Sequence, residues 1–305
     1  MKSNSRVTIG IAAFNEENNI KYVLKDILKQ KEREWKLKKI LLIDDGSTDN
    51  TVKEASDVVD RRVSIIHNNL RRGKTKCLQM MFEKLSTEVL VMLDADIKIG
   101  DKNTISSLIK PLFLKKNTML VGGNSKPFTP KTFFEKAVYT TFEVFYKSRL
   151  KLRGGNNIFG CTGSILAIKQ AFAKTIKFPS IVNEDAYLYM KCVTKGFLFR
   201  YVDSAKVYYK LPNNIRDYVR QIFRSEPQSV TKELQKYFHK KVDFEFHRPV
   251  SFYLSAVLEV FVKNPVGVSF VVVINLLCKP FLPFVLNKYR IDWFTAHSTK
   301  IINNN

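Results

Sequence analysis

Short β-branched apolar runs alternate with amphipathic stretches through the first hundred residues. Residues 7–13 (VTIGIAA) form the first run, and Asn15-Glu16-Glu17 separate it from a stretch of helical periodicity reaching about Gln30. Residues 40–43 repeat the theme and end at Asp44-Asp45-Gly46; a second helix follows, in which Thr51 and Glu54 have the spacing of a capping box. Residues 64–66 predict a strand, 75–85 a helix and 89–93 a further strand. Such alternation predicts an α/β fold, a mostly parallel sheet flanked by helices. Ligands of such sheets bind beyond the carboxyl ends of the strands, where Asn15-Glu16, Asp44-Asp45 and Asp94-Ala95-Asp96 stand.

After about Lys98 the pattern loosens. Residues 118–124 predict a strand, 132–149 a helix, 153–162 (RGGNNIFGCT) a Gly/Asn-rich loop, and 164–168 an apolar strand. Residues 184–193 read as a helix, 197–201 and 206–209 as two strands, and 215–225 as a basic helix. Composition then changes. Residues 250–286 carry only Glu259, Lys263 and Lys279 as charges, although a chain that is 26% charged would place about ten there. The window 264–282 is interrupted only by Lys279 and approaches the ~20 residues that span a bilayer, with Pro265, Pro280 and the following Pro283 set to kink the segment. A membrane-embedded or re-entrant segment is the preferred expectation; the alternative is a helical hairpin packed on the preceding domain. The division expected is a catalytic domain over 1–245 and a hydrophobic helical segment with a polar tail over 246–305.

Charge narrows the partners. With 51 Lys+Arg against 28 Asp+Glu, the net charge is +23, and 45% hydrophobic with 12% aromatic residues excludes a disordered chain. A basic balance attracts phosphate, whether of nucleic acid, anionic lipid or a small substrate. The cations are spread along the chain without aromatic interleaving or a helix-turn-helix pattern, so no nucleic acid is expected. Cys77, Cys161, Cys192 and Cys278 lie far apart with no zinc-ligand spacing, which fits a reducing compartment. Residues 1–6 are polar and lead into a strand-like run, so no signal peptide is expected.

Asp94 and Asp96 close an apolar strand two residues apart, on one side of an extended backbone. Carboxylates so placed repel each other unless they share a cation or face water. A hard divalent ion that takes one or two carboxylates and completes its shell with water and phosphate suits them. Taken alone the pair also reads as a polar turn after a strand. It is not alone. VTIGIAAFNEE, LIDDGSTDNT, RRGKTKCL, VLVMLDAD, GCTGSILAI, VNEDAYLYMK and LPNNIRDYVRQIFRS follow one another in the order of family 2 glycosyltransferases, and the chain resembles that family over roughly residues 5–230.

The resemblance implies the GT-A nucleotide-diphospho-sugar transferase fold and a set of roles. Phe14, Asn15 and Glu16 would lie against the nucleoside, with Asp44 beside them and Asp45 reading the base edge. Lys74 would stand near the phosphates, Asp94 near the ribose and metal, and Asp96 would hold Mn²⁺ or Mg²⁺ on the diphosphate. Gly163 would line the substrate site, and Asp185, beside Glu184, would be the catalytic base. Arg220, Gln221 and Arg224 match the family's Gln-x-x-Arg element next to diphosphate and acceptor. Ser225 stands where polymer-forming relatives carry Trp, and Tyr208-Tyr209 stand near a metal-binding His of some relatives.

Chemistry agrees with this allocation. Negative charge builds on the departing diphosphate, where a metal and an Arg stabilise it, while a carboxylate takes the acceptor proton. One base without a covalent intermediate implies inversion. The dipole of the helix starting at Glu184 would lower the pKa of Asp185, so burial or Glu184 must raise it. The expectation is a membrane-associated, metal-dependent inverting glycosyltransferase whose site faces the cytoplasm. Its donor would be a nucleotide-sugar, a UDP-sugar by resemblance, and its acceptor a hydroxyl or phosphate of a lipid-linked or membrane-proximal glycan. The alternatives are nucleotidyl transfer on the same fold and a non-catalytic basic module for membrane or RNA.

Overall fold

The computed structural model describes residues 5–224, 227–281 and 299–300. Eight strands form one mixed sheet: β1 (Ser5–Ala13), β2 (Trp35–Asp44), β3 (Val63–His67), β4 (Val89–Asp94), β5 (Lys98–Ile99), β6 (Thr118–Pro127), β7 (Ile165–Lys169) and β8 (Leu198–Tyr209), in the order β3-β2-β1-β4-β7-β6-β8-β5. The pairs β3-β2, β2-β1, β1-β4 and β6-β8 are parallel; β4-β7, β7-β6 and β8-β5 are antiparallel. The helices are α1 (Ile20–Leu28), α2 (Thr51–Ser56), α3 (Lys74–Lys84), α4 (Thr104–Leu114), α5 (Phe133–Lys151), α6 (Gln170–Ala173), α7 (Glu184–Thr194), α8 (Ile215–Arg224), α9 (Pro227–Phe238), α10 (Lys241–Phe246), α11 (Val250–Lys263) and α12 (Pro265–Cys278).

β1 is covered on both faces, so it reads as a continuous apolar run rather than an alternating one. Ile9 and Ile11 face one core cluster with α1 and α4, and Leu41 and Ile43 of β2 face the other with α3 and α7. Parallel register then fixes the site: Ala13 pairs with Asp44 and Ala12 with Asp94, so the acidic ends of β2 and β4 arrive level beside the end of β1.

Several expectations change. The two strands expected at 197–201 and 206–209 are one strand, β8, whose register against β6 jumps from the Gly123–Val202 pair to Asn124–Lys206 and leaves residues 203–205 bulged out. The capping box at Thr51 does not form, because Asn50 is the N-cap of α2 while Thr51 Oγ1 bonds Asp49 and accepts the Glu16 N–H at 2.7 Å. A true capping box starts α5, between Thr132 and Glu135.

The apolar window near the C-terminus is not one long helix. Asn264 caps α11 and Pro265 opens α12, giving two helices of 14 residues, each about 21 Å long and short of a ~30 Å hydrocarbon core. Among the described residues no helix is long and apolar enough to cross a membrane. α11 and α12 lie on α5 and on each other. Val268, Ala256 and Val260 pack with Val144, and Val271, Ile274 and Cys278 pack with Ala137 and Val138 of α5 and Tyr218 of α8. The outer face remains open, with Leu254, Leu258, Val262, Val266, Leu276 and Leu277 all exposed.

Candidate active site

The strand ends surround a cavity of about 330 Å³ lined by Phe14, Glu16, Lys74, Asp94, Asp96, Thr162, Tyr209, Arg220 and Gln221, among others. β1 delivers Phe14 to Glu16, β4 delivers Asp94 and Asp96, α3 presents Lys74 from its first position, and α8 brings Arg220 and Gln221 from across the sheet. Six of the residues expected from sequence at the nucleotide and phosphates thus share one cavity with Asp96.

Lys74 is its electrostatic centre. Its Nζ lies 2.7 Å from Asp94 Oδ1 and 2.8 Å from Glu184 Oε1, joining the end of β4 to the start of α7. Burial alone would lower the Lys74 pKa, but the two carboxylates outweigh it and raise the pKa, holding the ammonium charged. Gly163 leaves room for this bridge: a Cβ there would stand 3.1 Å from Lys74 Nζ, 3.5 Å from Glu184 Oε1 and 3.8 Å from Asp185 Oδ2.

The remaining carboxylates are poorly compensated. Asp96 is pushed up to about 6 by burial and by Asp94, against the pull of Lys74. Burial, then Asp96, raises Glu16 to about 7, although Asn19 Nδ2 donates to its Oε2 at 2.9 Å and Lys300 Nζ lies 3.0 Å from its Oε1. Asp185 is likewise pushed up to about 6, by burial first and Glu184 second, so both influences required against the helix dipole are present. The Gly163 N–H donates to Asp185 Oδ2 at 3.0 Å and the Ala186 N–H to Oδ1 at 2.7 Å, which fixes the carboxylate at the start of α7.

Asp44 and Asp45 stand one layer behind. Both are fully buried. Asp44 Oδ2 meets His67 Nδ1 at 2.7 Å and accepts the Ser47 N–H at 3.1 Å. Asp45 accepts the backbone N–H groups of Arg72 and Gly73 at 2.9 and 2.8 Å, tying down the turn that opens α3 at Lys74. Gly73, at φ +88°, supplies the left-handed backbone that this turn needs. Asn15, at φ +54°, is held by the Thr48 N–H on its Oδ1 at 2.8 Å and by Ser47 Oγ at 2.9 Å from its own N–H. The Arg71 guanidinium stacks 4.0 Å above the Phe14 ring.

Arg220 Nη1 donates to Asp217 Oδ1 at 3.1 Å, which orients it on α8. Arg224 is the last residue of α8; its side chain, like Ser225, lies outside the described residues. Among the described residues no three His, Cys, Asp or Glu side chains gather as a metal centre, so a divalent ion would draw most of its shell from substrate and water.

The sequence and the fold have counterparts among known proteins. The sequence profile described as Glycosyl transferase family 2 matches residues 8–176, more than half of the chain. The chain belongs to glycosyl transferase family 2. It is a glycosyltransferase with the GT-A fold. It is 26% identical over 184 residues, 60% of this chain and 68% of the relative, to a UDP-Glc:alpha-D-GlcNAc-diphosphoundecaprenol beta-1,3-glucosyltransferase of Escherichia coli. A second Escherichia coli glucosyltransferase of the same description is 24% identical over 222 residues, 70% of this chain and 83% of that one. Among solved structures, a mannosyltransferase from Pyrobaculum calidifontis in complex with GDP-Man and Mn²⁺ aligns at TM-score 0.58 and 17% identity, covering 93% of this chain and 75% of that chain. Glucosyl-3-phosphoglycerate synthase from Mycobacterium tuberculosis, in complex with Mn²⁺, UDP and phosphoglyceric acid, aligns at 0.54 and 16%, covering 76% and 78%.

The glycosyltransferase places further residues in the cavity wall that sequence reading did not single out: Ser125, Thr162, Ser164, Lys210, Thr299 and Lys300. Thr162 and Ser164 flank Gly163 in the quoted GCTGS motif, so their neighbour was a usable signal. Lys210 directly follows β8, where the rule of carboxyl-end sites applies only once the strand order is known. Thr299 and Lys300 lie far along the chain, and no local pattern marks them.

Proposed function

We propose that this glycosyltransferase moves one sugar, with inversion, from a nucleotide-diphospho-sugar, with UDP favoured as the nucleotide, to a hydroxyl or phosphate of a lipid-linked glycan. The observation that carries the reading is the grouping of carboxylates about Lys74: Asp94, Asp96 and Glu16 line the cavity, and Asp185 is held in a fixed orientation next to Glu184, the second partner of Lys74. Their crowding suits a divalent cation, since Asp96 and Glu16 take up protons more readily than isolated carboxylates. Asp96, with Asp94, would hold Mn²⁺ or Mg²⁺, which when bound neutralises charge on the diphosphate.

The chain's own groups do the rest. Phe14 and Asn15 form the nucleoside wall, and Asp44 and Asp45 hold the loops that shape it. Arg220 and Gln221, which line the cavity, meet the diphosphate side, with Arg220 supplying a permanent positive charge. Asp185 takes the acceptor proton; a pKa near 6 suits a base that works at neutral pH, being ionised yet still basic. Glu184 keeps Lys74 in place and raises the basicity of Asp185.

A lipid-linked acceptor is supported by two features. The Escherichia coli relatives are described as acting on diphosphoundecaprenol-linked GlcNAc, and α11 with α12 offers an open apolar face. Helices too short to span, apolar outward and anchored inward on α5, suit burial in the plane of the headgroup boundary. The basic surface would favour the anionic cytoplasmic leaflet, leaving the cavity on the cytosolic side where nucleotide-sugars are made. A panel of nucleotide-sugars tests the reading through metal-dependent release of nucleoside diphosphate, with and without diphosphoprenol-linked GlcNAc in lipid vesicles. Release that no donor elicits in the presence of Mn²⁺, Mg²⁺ and acceptor would refute it.

A further inference from the structure

Lys300 lies 281 positions from the residue it touches through its backbone: its carbonyl accepts from Asn19 Nδ2. Its ammonium enters the wall of the cavity. Nζ donates to the Phe14 carbonyl at 2.6 Å and the Asn15 carbonyl at 2.8 Å, and lies 3.0 Å from Glu16 Oε1. Two carbonyls and a carboxylate form a three-point cradle at the end of β1. A lysine ammonium has three N–H donors, and the cradle supplies three acceptors. No proton remains for an incoming phosphate while this arrangement stands. Glu16 and Asp96 line the same cavity as the ammonium.

We propose that the Phe14–Glu16 cradle is a cation site that the chain fills with its own Lys300, and that nucleotide and divalent metal bind in competition with this ammonium. This inference rests on the proposed donor site. Lys300 stabilises the acidic cavity of the free enzyme by supplying positive charge beside Glu16 and near Asp96. A divalent ion at Asp96 is repelled by that ammonium, and a nucleoside entering along Phe14 and Asn15 needs the space it takes. Free enzyme is therefore divided between a filled and a receptive form, and the observed donor affinity is the intrinsic one reduced by the receptive fraction.

The test combines K300M, which keeps length and removes charge, with amine acylation of the full chain read by mass spectrometry. In the free enzyme Lys300 should be acylated at least about tenfold more slowly than exposed Lys116, and Mn²⁺ with UDP should abolish that protection. Calorimetric titration with Mn²⁺ and UDP should show K300M binding about tenfold tighter than the unaltered chain. Lys300 acylated as fast as Lys116 in the free enzyme would overturn the filled cradle. Unchanged affinity in K300M would overturn the competition, and weaker affinity would make Lys300 a donor ligand instead of a competitor. If neither protein binds UDP, GDP or their sugars, the donor reading itself fails, and the acylation rate in free enzyme still decides whether the cradle is filled.

Discussion

Replacing Lys74 with Met removes the ammonium that bridges Asp94 and Glu184. The Lys74 side chain is 12% exposed, and its partners Asp94 and Glu184 are 22% and 10% exposed. Deleting one member of a buried ion pair leaves an uncompensated charge and costs about 3–5 kcal/mol; the partial exposure of Asp94 places the expectation near ~3 kcal/mol. The loss should depend on pH with a definite sign. Asp96 and Asp185 are raised to about 6 even with Lys74 opposing the rise, and without it they rise further. The folded form then binds more protons than the unfolded chain between about pH 4 and 7, and stability falls as pH increases through that window. K74M should therefore be least stable near pH 8 and recover part of the deficit at pH 5.5, by more than the unaltered protein gains. Urea unfolding of both proteins at the two pH values measures this. A deficit under about 1 kcal/mol at pH 8, or one of equal size at both pH values, would show that Lys74 is not the compensating charge.

Three further outcomes follow from the same geometry. Asp96→Asn should remove the metal dependence of UDP binding in calorimetry, because a neutral amide is a poor ligand for a hard cation; unchanged Mn²⁺-dependent affinity contradicts the metal role. Asp185→Asn should keep nucleotide affinity while turnover falls by roughly a hundredfold or more, and in the unaltered enzyme turnover should decline below about pH 6 as Asp185 takes up its proton; transfer at the unaltered rate by folded D185N excludes it as base. Leu258→Glu with Leu277→Glu should abolish co-sedimentation with anionic vesicles without loss of helicity, since these side chains are 65% and 66% exposed; retained binding at high salt places the membrane contact elsewhere.

The strands that carry the site were legible because a parallel strand covered on both faces has a plain signature, an apolar run ended by a polar cluster. Residues 7–13, 40–43 and 89–93 have it, and β1, β2 and β4 are built on them. α4 escaped because Pro111 interrupts an 11-residue apolar stretch that has no acidic first turn or side-chain cap. β8 was read as two strands because residues 203–205 bulge out of register, and a bulge breaks period-two reading without ending the strand. The apolar window at 264–282 holds one helix, α12, of 14 residues, and its packing against α5 is a tertiary fact that a hydropathy count does not carry. Lys300 belongs to a different class, since its contacts are made across 281 to 286 positions and only tertiary structure reveals them.

Two lysines account for much of how the cavity tolerates its acids. Lys74 enters from α3 and satisfies Asp94 and Glu184, so it links the end of β4 to the start of α7. Lys300 satisfies the opposite end at Glu16. Between them Asp96 has a counter-charge only at a distance, and its raised pKa is the consequence. A cavity built solely for stability would place a cation or an apolar side chain there, because buried like charges cost free energy that nothing in the free enzyme returns. The deficit at Asp96 is useful only if positive charge arrives with the substrate. Asp185 is raised by similar means: burial and Glu184 increase its basicity, while the Gly163 and Ala186 N–H groups oppose the rise and orient it, as the proposed base requires. The same physics thus raises both carboxylates, Asp96 proposed to meet a cation and Asp185 a proton, with the Lys74 ammonium opposing the rise at each.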